Sequence, residues 1–283
     1  MTRDEPSGLL LVDKPAGITS HDAVQRVRRG LGTRKVGHAG TLDPLATGLL
    51  VMGLGRATRL LRFLGELSKS YQGTGVLGVE TTTLDADGDV VRESPVEVDE
   101  LELRAAMAAL TGRIEQVPPA YSAVKVGGVA LHRAARRGEA VEAPPRQVEI
   151  HAFDLRRFKG PRFDFSVRCS GGTYVRSLVA EVGSRLGCGA HLAGLRRTDV
   201  GPFSVKDARG PDDPDPILPM ERAVEHLAAV ILEEEEAKAA SYGRALGPAG
   251  IEGPYRAVGP DGRLIGIYRD QGAKAVPEVI LAG

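Results

Sequence analysis

A chain of 283 residues can form one large core or two unequal domains, and 42% hydrophobic with 26% charged residues excludes a disordered or fibrous protein. No apolar run approaches the roughly 20 residues of a membrane helix, and Leu9–Val12 is too short for a secretory core, so a cytoplasmic chain is expected. Net charge is zero but segregated: ten Lys or Arg face three acids from Lys14 to Lys69, and eleven face five from Lys125 to Arg176, which suits either a polyanion groove or solvated helix faces.

In chain order, "GLLLVDKPAGITS" reads as a buried strand ending in a Lys-Pro turn. "TSHDAVQRVRRGLG" reads as a helix that Thr19 or Ser20 can cap and Gly30 or Gly32 can stop, with Arg26 and Arg29 on its outer face. "VGHAGTLDPLATGLLVMGLG" follows, a glycine-rich loop with Asp43 between Leu42 and Pro44. An aspartate so placed is either a turn former or a presented carboxylate. "GRATRLLRFLGE" predicts a second helix, with Ala57, Leu60, Leu61 and Leu64 inward and Arg56, Arg59 and Arg62 outward.

Gly73, Gly75 and Gly78 in "GTGVLG" satisfy a dinucleotide fingerprint, but the β-branched residues after them continue a strand where that motif needs a helix. "DADGD" misplaces its glycine for a calcium loop and predicts a hairpin turn. Asp99 starts a helix in "DELELRAAMAALTG", and "PPAYSAVKVGGVALHRAARRG" is a proline-marked loop leading into a basic helical segment. In "RFDFSVRCSGGTYVRSLVAEVG", Phe163, Phe165, Val167 and Cys169 alternate with polar residues, then Val175, Leu178, Val179 and Val182 recur at helical spacing. Tyr174 and Arg176 fall at that junction, and a small β-rich module closes the chain, with a hairpin turn at Pro260–Gly262. Cys169 and Cys188 are too few for a disulfide framework, and the six histidines never pair at ligand spacing, so no metal is indicated.

"DKPAGITSHDAV", "GHAGTLDPLATGLL", "KSYQGTGVLGVETTTLDADG", "PPAYSAVK", "CSGGTYVRSL" and "GCGAHLAGLRRTDVGPFS" resemble, in order, the motifs of the TruB-type tRNA pseudouridine-55 synthases. The resemblance implies an α/β (α+β) catalytic domain over residues 1–225, with a mostly antiparallel central sheet and flanking helices. A small PUA-like β-barrel that binds RNA is then expected over 226–283. It implies an isomerase without cofactor that flips the T-loop uridine of tRNA, detaches it at N1 and rejoins it through C5, with no obligate protein partner.

By the same resemblance Asp43 is the nucleophile, at C1′ or at C6. Arg176 orients its carboxylate and keeps it ionised against burial, and Tyr71 stacks on the base and takes the C5 proton. His38, Tyr174, Leu195, Lys14 and Lys69 are expected to bind substrate, and the arginines on the two helices to contact phosphates. Gln72 departs from the pattern, since some relatives carry a basic residue there. Three rivals differ in kind. A guide-RNA-dependent relative would carry extended basic tails, an RNA chaperone would need only the basic faces, and a glycosidase would need a second positioned carboxylate.

Overall fold

The computed structural model describes residues 6–122, 124–126, 129–131, 137 and 143–281. The basic helical segment expected in "LHRAARRG", with His132, falls outside this set apart from Leu131 and Arg137. The strands of the first half are β1 (Gly8–Lys14), β2 (Val36–His38), β3 (Thr47–Leu54), β4 (Lys69–Leu77), β5 (Val79–Thr81), β6 (Val90–Glu93) and β7 (Gly112–Gln116). Then come the two-residue β8 (Lys125–Val126) and β9 (Val129–Ala130), the long hairpin of β10 (Arg146–Lys159) and β11 (Arg162–Cys169), β12 (Ala190–Val200) and β13 (Phe203–Ser204).

The central sheet runs β1-β3-β12-β4-β11-β10-β7, with β2 also paired to β3 and β13 to β12. Every described pairing in it is antiparallel except β3 with β12, which brings Arg196 and Arg197 beside Thr47 and Gly48. That one parallel contact closes the distance between the Asp43 loop, which leads into β3, and the middle of the sheet. The turn expected at "DADGD" is present, joining β5 to β6.

Two of the three glycines of the false fingerprint lie in β4 and have a packing reason. A Cβ on Gly73 would stand 2.5 Å from Phe165 Cζ, and one on Gly75 would stand 2.3 Å from Phe163 Cζ. The glycines let two buried aromatic rings of β11 lie flat on the neighbouring strand, where any side chain would overpack the core.

Helix α1 (Ser20–Leu31) is capped by Thr19, whose hydroxyl accepts from Asp22 N at 3.0 Å while the Asp22 carboxylate accepts from Thr19 N at 2.9 Å, and Gly32 ends it in the left-handed region. The second expected helix is instead a 3₁₀ turn over Gly55–Leu60 running into the short α2 (Leu61–Gly65). Thr58 Oγ1 donates back to Gly55 O at 2.7 Å, a local bond that competes with α-helical geometry. α3 (Glu100–Ala108) starts at Asp99 with a reciprocal cap to Glu102. α4 (Val175–Arg185) buries Val175, Leu178, Val179 and Val182, as its spacing requires.

The C-terminal unit comprises β14 (Ala229–Ile231), α5 (Glu234–Ser241), β15 (Pro254–Val258), β16 (Leu264–Gln271) and β17 (Lys274–Ile280). Its described pairings follow the order β14-β15-β16-β17, with a single bridge from Leu246 to Ala275, and none joins β14 to β17. The expected closed barrel is therefore an open four-stranded sheet, since closure needs both edges paired.

This unit engages Arg56, Arg59 and Arg62, the arginines expected to contact phosphates. Arg56 Nη1 donates to Leu281 O at 2.7 Å, Arg59 Nη1 bonds Ile280 O, and Arg62 Nη2 pairs with Glu278 Oε2 at 2.8 Å. Beneath them Leu60, Leu61 and Leu64 share one buried apolar cluster with Leu264, Ile267, Val279 and Leu281. On α1, Arg26 pairs with Asp212 at 3.2 Å and Arg29 stays exposed.

Candidate active site

Asp43 sits in the loop between β2 and β3, and the fold holds its neighbours on both sides. Ser20 Oγ donates to Leu42 O at 3.0 Å and accepts from Leu42 N at 2.8 Å. Pro44 O accepts from Gly17 N at 2.9 Å, and Ala46 N closes a turn onto Asp43 O at 3.0 Å. Gly40, with φ +91°, opens the loop in a conformation that side chains rarely adopt. The carboxylate is thus presented by a loop fixed at Leu42 and Pro44.

Lys14 completes that frame, and its expected contact with substrate is corrected. Its ammonium is fully buried and donates to Pro15 O at 3.0 Å, Ile18 O at 2.8 Å and Pro44 O at 3.4 Å. Three donors on three carbonyls leave nothing for a ligand. Burial pulls its pKa down to about 8, against the opposing charge of Asp43.

A cavity of about 220 Å³ opens over the loop, lined among others by Asp43, Lys69, Tyr71, Tyr174, Arg176 and Leu195. Six of the eight expected site residues therefore converge from the Asp43 loop, β4, the start of α4 and β12. Lys14 and His38 do not line it. His38 ends β2 half-buried, its Nδ1 without a hydrogen-bond partner, and burial lowers its pKa.

The Arg176 guanidinium is buried, whereas the Asp43 side chain keeps 39% of its exposure toward the cavity. Arg176 Nε lies 3.0 Å from Asp43 Oδ2, a charge contact without hydrogen-bond alignment, and Nη2 donates to Oδ1 at 3.3 Å. The other side of the guanidinium is held by Thr83 O at 2.8 Å, Tyr121 O at 2.9 Å and the buried Asp85 carboxylate at 3.3 Å. Burial raises the Asp43 pKa above the ordinary carboxylate value, Arg176 opposes the rise, and Asp85 adds to it. The arginine therefore offsets burial only in part.

Tyr71 is buried in β4 directly opposite Arg197 of β12. Burial lifts its pKa, and the positive charge of the Arg197 guanidinium works against that rise. Arg197 is itself fully enclosed, with Nε donating to Leu49 O at 2.7 Å and Nη2 to Gly40 O at 3.0 Å. One guanidinium therefore ties the opening of the Asp43 loop to the tyrosine. Lys69 Nζ donates to Gly65 O at 2.8 Å and Leu67 O at 3.0 Å, and burial pulls its pKa down to about 8.

Tyr174 caps α4 with no side-chain bond of its own. Its backbone N–H donates to Gln116 Oε1 at 3.0 Å and its carbonyl accepts from Gln116 Nε2 at 3.2 Å. The Arg146 guanidinium stacks 4.5 Å above its ring.

Asp85, Arg146 and Arg197 are site residues that sequence reasoning missed. Asp85 lay inside a stretch read as a turn, and Arg146 stands alone between a proline pair and a strand. Arg197 was visible in "GLRRTDVGPFS", but its place opposite Tyr71 depends on strand register. Cys169 and Cys188 are free and buried, and burial pushes the Cys169 thiol up to about 11.

Sequence comparison agrees with this architecture. Residues 28–175 match the TruB family pseudouridylate synthase N-terminal domain, 176–210 the tRNA pseudouridylate synthase B C-terminal domain, and 227–282 the tRNA pseudouridine synthase II C-terminal domain. The chain is 46% identical to the tRNA pseudouridine synthase B of Mycolicibacterium paratuberculosis, covering 98% of each chain. It is 45% identical to that of Thermobifida fusca, covering 98% of this chain and 99% of the other. Among solved structures, Cbf5 in the archaeal box H/ACA sRNP Nop10-Cbf5 complex superposes with a TM-score of 0.74 at 26% identity, over 96% of this chain and 85% of that one. A Cbf5-Nop10-Gar1 complex gives 0.73 at 27%, over 97% and 85%. With relatives this similar along nearly its whole length, and a fold to match, the chain belongs to the TruB family of pseudouridine synthases, which are isomerases.

Proposed function

We propose that this enzyme converts the uridine at position 55 in the T loop of tRNA to pseudouridine, with Asp43 as its nucleophile. The observation that carries the reading is the Asp43 carboxylate, fixed by its loop, gripped by Arg176 and opening on a cavity shared with Tyr71. The relatives named tRNA pseudouridine synthase B support tRNA as the substrate.

In the reaction the N1–C1′ bond breaks, the uracil turns, and a C5–C1′ bond forms. C5 gives up its proton and N1 gains one, so atoms balance without cofactor or net water. Attack at C1′ would hold the ribose on Asp43 while the uracil turns within the cavity, and attack at C6 would hold the uracil; either attack needs the ionised carboxylate. Arg176 favours that form and fixes its orientation. Tyr71 is the group placed to receive the C5 proton, and Leu195 and Tyr174 supply faces against which the extruded base packs. Flipping costs a few kcal/mol, and stacking returns about 1–3 kcal/mol per base.

The same reading divides the chain into a catalytic domain over 1–225 and an RNA-binding module over 226–283. An apolar cluster confined to Leu232, Ala240, Tyr255, Ala257, Ile265, Tyr268 and Ala275 supports the division. The test incubates an unmodified tRNA transcript with the enzyme and with Asp43→Asn, then maps pseudouridine by carbodiimide-dependent primer-extension stops. One stop in the T loop, abolished in the variant while RNA binding persists, is expected. Binding without modification by either protein would leave an RNA chaperone and sink the assignment.

A further inference from the structure

The cations around the cavity differ in what they have left to bond. Arg176 is engaged by two carboxylates and two carbonyls, Arg197 by two carbonyls, and Lys69 by two carbonyls. Arg146, the first residue of β10, also lines the cavity, yet its Nε and Nη2 are buried with no hydrogen-bond partner. Unanswered buried donors are costly, and their presence at a cavity calls for something that fills them.

Their arrangement says what. Nε–H and Nη2–H share one edge of the guanidinium plane and point the same way, which matches two oxygens of a single oxyanion. The guanidinium lies over the Tyr174 ring, its carbon 4.5 Å from the ring centre, and Tyr174 is pinned by both hydrogen bonds to Gln116. The first turn of α4 borders the same cavity and adds its positive end. Among the lining residues Arg146, Arg176, Arg197 and Lys69 face the single carboxylate of Asp43, so the cavity carries charge for an anion as well as room for a neutral base.

We infer that Arg146 is the phosphate subsite of this cavity, its Nε–Nη2 edge binding the two non-bridging oxygens of a phosphodiester that flanks the target uridine. The inference rests on the cavity being the uridine site and adds what holds the backbone of the flipped nucleotide. Tyr174 then serves as the platform under the arginine as well as a wall of the base pocket. A neutral uracil gives the enzyme little to grip, whereas the phosphate beside it is a fixed charge at a fixed distance from C1′.

The test uses a T stem-loop hairpin RNA in which each phosphate flanking the target uridine is replaced in turn by a neutral methylphosphonate. With the wild-type enzyme, one of the two replacements should raise Kd and KM about tenfold. Arg146→Met should impose a similar rise on the all-phosphate hairpin, change kcat far less, and show no added penalty from the methylphosphonate. Its log Kd should also depend on log salt with a slope smaller by about one. Arg146→Lys, a point charge without the fork, should keep the salt slope and recover only part of the affinity.

Two results would overturn the assignment: no methylphosphonate penalty in the wild type, or an equal penalty in Arg146→Met. The wild-type series is informative even if the methionine variant does not fold. Binding with the penalty but without turnover would defeat the proposed activity and leave the subsite standing. Turnover without the penalty would do the reverse.

Discussion

At the scale of single residues, Asp43 is held between opposing influences, and the pH profile is where they meet. Burial and the neighbouring Asp85 raise its pKa, while the Arg176 guanidinium pulls it down. Activity that needs the carboxylate should be present above the raised pKa and lost as pH falls through it. The acid limb of kcat/KM is therefore expected above the ordinary carboxylate value of 3.8. Arg176→Gln removes the lowering charge and should move that limb upward as well as slowing the reaction, whereas Arg176→Lys should move it less. A limb that stays in place in both variants would show that a different group titrates. Reading Lys14 as a ligand failed at this scale too, because a sequence does not say how many carbonyls surround an ammonium.

At the scale of elements, the features written within a few residues were legible. The Thr19 and Asp99 caps, the alternation of β11 and the apolar stripe of α4 each follow from short-range rules. The second helix was misjudged because its apolar stripe is real while a Thr58 hydroxyl bond tightens the backbone. Most of the site lines up with quoted motifs. What escaped was contact between distant segments: Arg197 meets Tyr71 through strand register, and Asp85 of the β5–β6 turn meets Arg176 of α4.

The same registry gives β4 a stability test. Gly73→Ala places a Cβ 2.5 Å from the Phe165 ring and 3.0 Å from Gly194 O, on the strand that carries Tyr71. Overpacking of this kind costs about 1–3 kcal/mol, so urea denaturation should show a lower midpoint. A variant as stable as the wild type would mean that the two strands can separate without loss.

At the scale of the whole molecule, the C-terminal unit is packed on the catalytic part through a continuous apolar cluster, rimmed by Arg56, Arg59 and Arg62. Those arginines looked like an RNA face in the sequence because helical periodicity places them outward. They stay exposed, yet each also has a partner on the C-terminal unit. Arg56→Ala with Arg59→Ala should loosen the joint, raising the rate of proteolytic cleavage between the two units, while leaving the salt dependence of hairpin RNA binding unchanged. A shallower salt dependence would return these arginines to the RNA.

Against the last strand, Arg56 and Arg59 bond to the carbonyls of Leu281 and Ile280, while Arg62 pairs with the Glu278 side chain. Main-chain oxygens are the same in every amino acid, so this polar seam measures position along the strand and is indifferent to chemical identity. It works as a ruler laid against the last strand: a swap of one apolar residue for another of similar size at position 280 should pass unnoticed, whereas deleting a single residue within β17 would slide both carbonyls out of reach at once.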